Sequence, residues 1–279
     1  MNILKFSLSV SVLSFLLIAC GGSGDSGGKS TPSFTEAETI EQAENNLYAL
    51  GYILSGDSMR KVNASNKVFD SKLTLKKERI IQCDKGTVEI YDDEKGLTII
   101  YKACTDKGEY RDGTVIITAD DGAGTVIAKY SNYTLKKDGT EFYLDLIQTV
   151  KPSNETGVLS TSLNGVNNRT FNNGEKANVT YSNFIKTSTH KTQTYNGKLE
   201  LESKCITGTY IVETVEKLVF STQYKITDSI VSGTLKLNGA TYTYEAPYVT
   251  IEAGGESKTY FQSKIKKRMN GYRNRNCAI

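Results

Sequence analysis

The sequence predicts an all-β fold: an antiparallel β-meander of repeated hairpins curling into a sandwich or open barrel, with one N-terminal amphipathic helix. Three observations predict it. Turn dipeptides recur at Asp112-Gly113, Asp121-Gly122, Asp138-Gly139, Asn164-Gly165, Asn173-Gly174, Asn196-Gly197 and Asn238-Gly239. Each is a hairpin signal, because Asn, Asp and Gly tolerate the positive φ of two-residue turns. The composition mixes β-formers with turn residues: 17 Tyr and 24 Gly, against 3 Pro and no Trp. A glycine-led alternating pattern also repeats, as GTVEI at Gly86, GTVII at Gly113, GKLEL at Gly197 and GTLKL at Gly233, with a looser GTEFYL at Gly139. With Gly165 added, the first four of these glycines are 26 or 27 residues apart, a period that suits two strands and two turns. A dozen or more strands are too many for a flat sheet, which must curl or split.

Taken in order, the chain begins with Lys5 and an apolar run from Phe6 to Ile18, followed by Cys20. That run is a secretory signal, too short to span a membrane. Leu17-Ile18-Ala19-Cys20 resembles the lipobox of bacterial lipoproteins, which implies cleavage before Cys20 and lipidation of that cysteine. Gly21 after it implies the outer membrane. Residues 1–19 are then the signal peptide, and 20–33 the lipidated cysteine with a flexible Gly/Ser tether. Cleavage removes Lys5 and so takes the formal charge from +3 to +2.

Residues 34–51 predict the helix, in a segment that runs to 61 with its connector. Phe34, Ala37, Ile40, Leu47 and Leu50 fall near one face, Thr35 to Glu38 has capping-box spacing, and Gly51 suits the stop. The helix reads as too polar to be buried and is expected to lay one stripe on the sheet.

The β-repeat domain occupies 62–279, with 150–157, VKPSNETG, as the joint if it divides into two. Centring a hairpin on Asp138-Gly139 opposes Leu135 to Phe142 and Tyr133 to Leu144. Centring on Asp121-Gly122 opposes Ile116 to Ile127, and centring on Asn238-Gly239 opposes Leu235 to Tyr242. A turn at Asp93-Glu94 opposes Ile90 to Leu97, Val88 to Ile99 and Cys83 to Cys104, at disulfide distance. Lys95-Gly96 could instead add a bulge and shift this register by one.

Besides Cys20 there are four cysteines, and outside the cytoplasm an even number reads as disulfides. The hairpin selects Cys83 with Cys104, leaving Cys205 with Cys277. No CxxC spacing exists and the one histidine is His190, so a zinc site is not expected. Lys264, Lys266, Lys267, Arg268, Arg273 and Arg275 form a basic C-terminal stretch with no acid in it. It reads chiefly as a solvated strand end and tail, and otherwise as a contact for an envelope protein or anionic surface.

A second element, Tyr followed three residues later by Cys, Tyr or Phe, precedes most repeats: YKAC at Tyr101, YSNY at Tyr130, YSNF at Tyr181. Cys83 and Cys104 around GTVEI and TIIYK, followed by YRDGTVII, resemble the β-repeat lipoproteins of proteobacteria. Their hallmark is a Cys-x-x-Gly-Thr-Val hairpin ending in a second cysteine. The resemblance covers roughly 83–245 and implies a fold and an envelope address; it adds no activity. Later modules carry Tyr133 or Phe184 where the first has Cys104.

No catalytic constellation is legible. His190 lacks a nucleophile context, while Asp92-Asp93-Glu94 and Asp120-Asp121 lack calcium-loop spacing. Neither cofactor nor nucleic acid is expected. Tyrosines recur along the strands, where packing in the core is the default and an exposed ladder would mark a recognition surface. The expectation is a lipid-anchored, non-catalytic binding or structural module at the outer membrane. Its alternative is a periplasmic carrier or chaperone of a hydrophobic ligand, with a lumen lined by residues such as Leu97, Ile99, Ile116 and Leu144.

Overall fold

The computed structural model describes residues 36–55, 78–93, 96–119, 124–152, 158–189, 191–204, 206–221 and 230–269. Fourteen strands form one antiparallel sheet whose spatial order is the chain order. They are β1 (Arg79–Gln82), β2 (Lys85–Asp93), β3 (Gly96–Asp106), β4 (Glu109–Ala119), β5 (Val126–Lys137), β6 (Thr140–Pro152) and β7 (Leu159–Thr170), then β8 (Lys176–Ser188), β9 (Thr192–Ser203), β10 (Thr207–Phe220), β11 (Ile230–Leu237), β12 (Ala240–Glu245), β13 (Tyr248–Ala253) and β14 (Glu256–Phe261). The predicted meander is thus one continuous open sheet, in which β1 and β14 are the two edges. Pro152 pairs with Leu159, so β6 and β7 stay paired on either side of residues 153–157.

Side chains alternate between two faces, as the pleat requires. On β6, Phe142, Leu144, Leu146 and Gln148 are buried, while Tyr143, Asp145 and Ile147 are not. The buried face continues from Val88 on β2 to Tyr260 on β14.

Among the described residues three helices accompany the sheet: α1 (Ile40–Asn45), α2 (Leu47–Ser55) and α3 (Gln262–Met269). The N-terminal helix differs from expectation in three ways. It starts at Thr39, where Thr39 Oγ1 accepts the Gln42 N–H and Gln42 Oε1 accepts the Thr39 N–H, rather than at the Thr35–Glu38 spacing. Residues 36–38 precede it, and there the Ala37 N–H donates to Asn238 O at 2.7 Å, tying this segment to the β11–β12 turn. The helix also passes through Gly51 instead of stopping there; a Cβ on Gly51 would lie 2.0 Å from Met269 O on α3, so glycine permits the helices to meet. Finally, α2 is buried all round. Leu47 through Ile53 are seven consecutive buried residues, nearly two full turns, and none of them is charged. Tyr242 Oη on β12 donates to Ala43 O at 2.7 Å, and Tyr195 Oη on β9 to Leu54 O at 3.5 Å.

The third helix replaces part of the expected strand end. Gln262 ends β14 by donating its N–H to Pro247 O and its side-chain amide to Ile230 O and Tyr248 O. Ile265 and Met269, four apart, then give a helix its inward stripe.

Registers around Asp138-Gly139 and Asn238-Gly239 are as predicted: Leu135 faces Phe142, Tyr133 faces Leu144, and Leu235 faces Tyr242. Two others slip by two. Ile90 faces Ile99, Val88 faces Tyr101 and Asp93 faces Gly96; Ile127 faces Thr118 instead of Ile116. A slip of two keeps every side chain on its face, so hydrophobic alternation alone does not detect it.

Three of the predicted turns are not turns. Asp112-Gly113, Asn164-Gly165 and Asn196-Gly197 lie inside β4, β7 and β9. Each meets a bulge on an adjacent strand. Ala103, Asn132 and Asn183, the third residues of the three tyrosine motifs, hold φ of 48°, 48° and 49°. Asp112 Oδ1 accepts the Ala103 N–H at 2.9 Å, and Asn164 Oδ1 accepts that of Asn183 at 2.6 Å. Gly113 and Gly197 face the Asn132 and Asn183 carbonyls, where a Cβ would come within 2.3 Å of oxygen. The repeat is therefore a bulge met by the Asx of one pair or the Gly of another, and Asn183 by both, Asn164 from β7 and Gly197 from β9, a device that bends a strand and sharpens its twist.

Candidate binding surface

Sequence reasoning brought Cys83 and Cys104 together, and a disulfide joins them with Cα atoms 5.6 Å apart. The geometry differs from a cross-strand pair. Cys83 sits in the β1–β2 turn, donating its N–H to Gly86 O, and reaches Cys104 beyond the Ala103 bulge on β3. Cys104 is buried beside the ring cluster of Tyr101, Tyr130 and Tyr133, whose centroids lie 5.6 and 5.7 Å apart edge to face. Phe184 packs against Tyr181 at 5.7 Å and Tyr195 at 6.5 Å.

Most of the tyrosines are core. Tyr130, Tyr133, Tyr181, Tyr195, Tyr210, Tyr242, Tyr244 and Tyr260 are buried, and desolvation pushes the Tyr133, Tyr195, Tyr242 and Tyr244 phenols well above the usual range. Leu97, Ile99 and Leu144 also face inward. Ile116 does not: Val115 and Ile117 are buried, and Ile116 shares the outer face with Ile127. Within the core, α1 meets Tyr242, and α2 meets Tyr195 and α3.

The outer face is where exposed apolar groups collect. Registers place Thr98, Ile116, Lys129, Ile147 and Asn164 in one row across β3–β7. The next row runs Thr118, Ile127, Thr149, Ser162, Ile185. Ile127, Ile147 and Ile185 are 37%, 42% and 39% exposed. Nearer β14, Thr234, Thr243, Thr250 and Thr259 align over four strands, with the Thr250 and Thr259 hydroxyls 3.0 Å apart. Beside them Tyr248 and Phe261 stack on the outer face at 4.9 Å. Phe261 was missed by sequence reasoning, although a turn centred on Gly254-Gly255 would have opposed it to Tyr248.

Charged residues also pair locally. Lys102 hydrogen-bonds Glu89, while on the inner face, beside the Tyr101 ring, Lys137 and Arg111 hold the Glu109 carboxyl below its usual range, the Lys137 hydrogen bond being the main cause. The basic stretch is partly structural. Arg268 Nη1 meets Glu44 Oε2 at 2.5 Å, Lys258 and the Tyr260 hydroxyl reach the same carboxylate, and Lys264 lies 5.6 Å from the Tyr260 ring. Lys264 and Lys267 are exposed on α3, and Lys266 is half-buried. Among the described residues no group of three or more His, Cys, Asp or Glu is placed to hold a metal, and no helix is long and apolar enough to cross a membrane. Leu17, Ile18, Ala19, Cys20, His190, Cys205, Arg273, Arg275 and Cys277 lie outside the described residues, as do Glu94, Asp120 and Asp121.

No family model matches the chain, and no curated protein matches it. Among solved structures, the TCP10 domain of Danio rerio CPAP, in complex with a peptide of Danio rerio STIL, aligns at 12% identity over 68% of this chain and 96% of that one. Its TM-score is 0.13, too low to bear on the fold.

Proposed function

We propose that this chain is a non-catalytic binding or structural module of the bacterial cell envelope, tethered at the outer membrane through lipidated Cys20, and that it contacts an envelope macromolecule with the outer face of its sheet. The observation that carries the reading is the division between the two faces. One face packs its apolar residues around a buried helix, while the other leaves Ile127, Ile147, Ile185, Tyr248 and Phe261 in solvent. Exposed isoleucines and an aromatic pair among hydroxyl and charged residues match the composition of a protein contact, with apolar anchors inside a polar rim. The lipobox-like Leu17-Ile18-Ala19-Cys20 and the tether after it supply the address.

The test uses the full chain in its own cells. Cys20→Ser is expected to abolish palmitate labelling and release the chain from membranes. A photo-crosslinking residue at Ile147 or Phe261 is expected to capture one reproducible envelope partner. Labelling that persists in Cys20→Ser refutes the anchor, and crosslinking that yields no discrete product refutes the binding face.

A further inference from the structure

A crevice of about 180 Å³ opens between α1 and the start of β10, away from the outer-face rows. It is built in layers. Among its buried walls the Tyr210 ring and the Ala37 methyl are the apolar ones, and they give it an apolar floor. Asn238 fixes one side and has no polar group to spare: its Oδ1 accepts the Ile211 N–H at 2.8 Å, its Nδ2 donates to Thr209 O at 2.9 Å, and its carbonyl takes the Ala37 N–H. The rim belongs to α1. Gln42 spends its Oε1 on the capping box, which leaves its amide nitrogen, while Asn45 and Asn46 bring two whole carboxamides with no protein partner among the described residues.

This arrangement specifies a ligand chemistry. Three side-chain amides and a phenol offer donors and acceptors in nearly equal number, which suits hydroxyl groups, since each hydroxyl both gives and accepts. The lining contains no Lys or Arg and one carboxylate, Glu36, so it disfavours anions. An apolar floor beneath a polar rim fits a ring with C–H groups on one side and hydroxyls at its edge. The volume equals the share of about six waters, room for one such ring and no more. We propose that this crevice binds one uncharged sugar ring, either free or at the end of a glycan chain.

The inference goes beyond the outer-face reading and does not depend on it. It is tested on the full chain by titrating methyl glucopyranoside, methyl galactopyranoside and N-acetylglucosamine, each to tens of millimolar, and following binding by calorimetry and amide chemical shifts. The expected result is saturable binding by at least one probe at about the millimolar level, since so small a site touches few ligand atoms. Asn45→Ala with Tyr210→Phe, which keeps the ring in place, is expected to weaken binding about tenfold or more with the thermal midpoint unchanged. A disaccharide ending in the preferred ring separates the sources: tighter binding than the methyl glycoside identifies a chain end, and equal or weaker binding a free sugar. Absence of binding by all three probes, or equal binding by the double variant, overturns the proposal. Ile147→Ser on the outer face leaves sugar binding unchanged, so the two readings fail separately.

Discussion

Gly113 on β4 passes so close to Asn132 on β5 that a Cβ would lie 2.3 Å from the Asn132 carbonyl oxygen. Its φ of 100° is also one that side chains rarely adopt. Gly113→Ala therefore meets both a backbone clash and local strain, and is expected to destabilise the chain by about 3 kcal/mol. Gly108, in the turn between β3 and β4, supplies the control: its φ is 80°, but a Cβ there meets nothing within 4 Å. Gly108→Asn is expected to cost under about 1 kcal/mol, because Asn tolerates the left-handed region. Urea unfolding of the two variants checks the difference, and equal losses would remove the clash from the account.

The disulfide stabilises a span with sequence separation 21, running from the β1–β2 turn to β3. Cys83→Ala with Cys104→Ala is expected to cost about 3 kcal/mol, mainly by freeing the unfolded chain. The loss is read as a fall in the denaturation midpoint, with an m-value that holds or rises as the freed chain exposes more surface. A larger loss with a lowered m would mean that the bridge also holds the β1 edge in place.

These two features mark what the sequence could and could not disclose. Asp138-Gly139 was legible as a turn because its flanks, Leu135 with Phe142 and Tyr133 with Leu144, alternate symmetrically around it. Asp112-Gly113 has the same dipeptide but spends it on two bulges, and the choice depends on Ala103 and Asn132 on the two flanking strands, which local pattern does not reveal. The buried α2 was hidden by its polar neighbour. Averaged over 34–51 the segment looks amphipathic, yet Leu47–Leu54 alone has no polar face beyond its tyrosines. The Tyr248–Phe261 pair was within reach through its Gly254-Gly255 turn, whereas the crevice joins α1 to β10 across more than 160 residues and leaves no local signal.

Tyr242 and Tyr244 stand two apart on β12, both buried, and differ in one respect. Tyr242 Oη donates to Ala43 O at 2.7 Å, while Tyr244 Oη has no hydrogen-bond partner among the described residues. Tyr242→Phe leaves a helix carbonyl unsatisfied and is expected to cost about 1–3 kcal/mol. Tyr244→Phe removes a buried hydroxyl that bonds nothing and is expected to be neutral or stabilising. Thermal unfolding of the pair decides it; a loss in Tyr244→Phe as large as in Tyr242→Phe would mean that Tyr244 is bonded through a buried water.

The buried phenols also set the alkaline limit. Burial raises the Tyr133, Tyr195, Tyr242 and Tyr244 pKa values above that of an unfolded tyrosine, which ionises near pH ~10. Below that pH both states keep the proton, and the stability is fully present. Above it the unfolded chain releases protons that the folded one retains, so stability falls as pH rises toward the folded values. The sheet is therefore expected to unfold cooperatively above pH ~10, with tyrosinate absorbance from the buried set appearing together with loss of far-ultraviolet dichroism. Smooth ionisation of all the tyrosines near pH ~10, with the dichroism intact, would contradict the burial of this set.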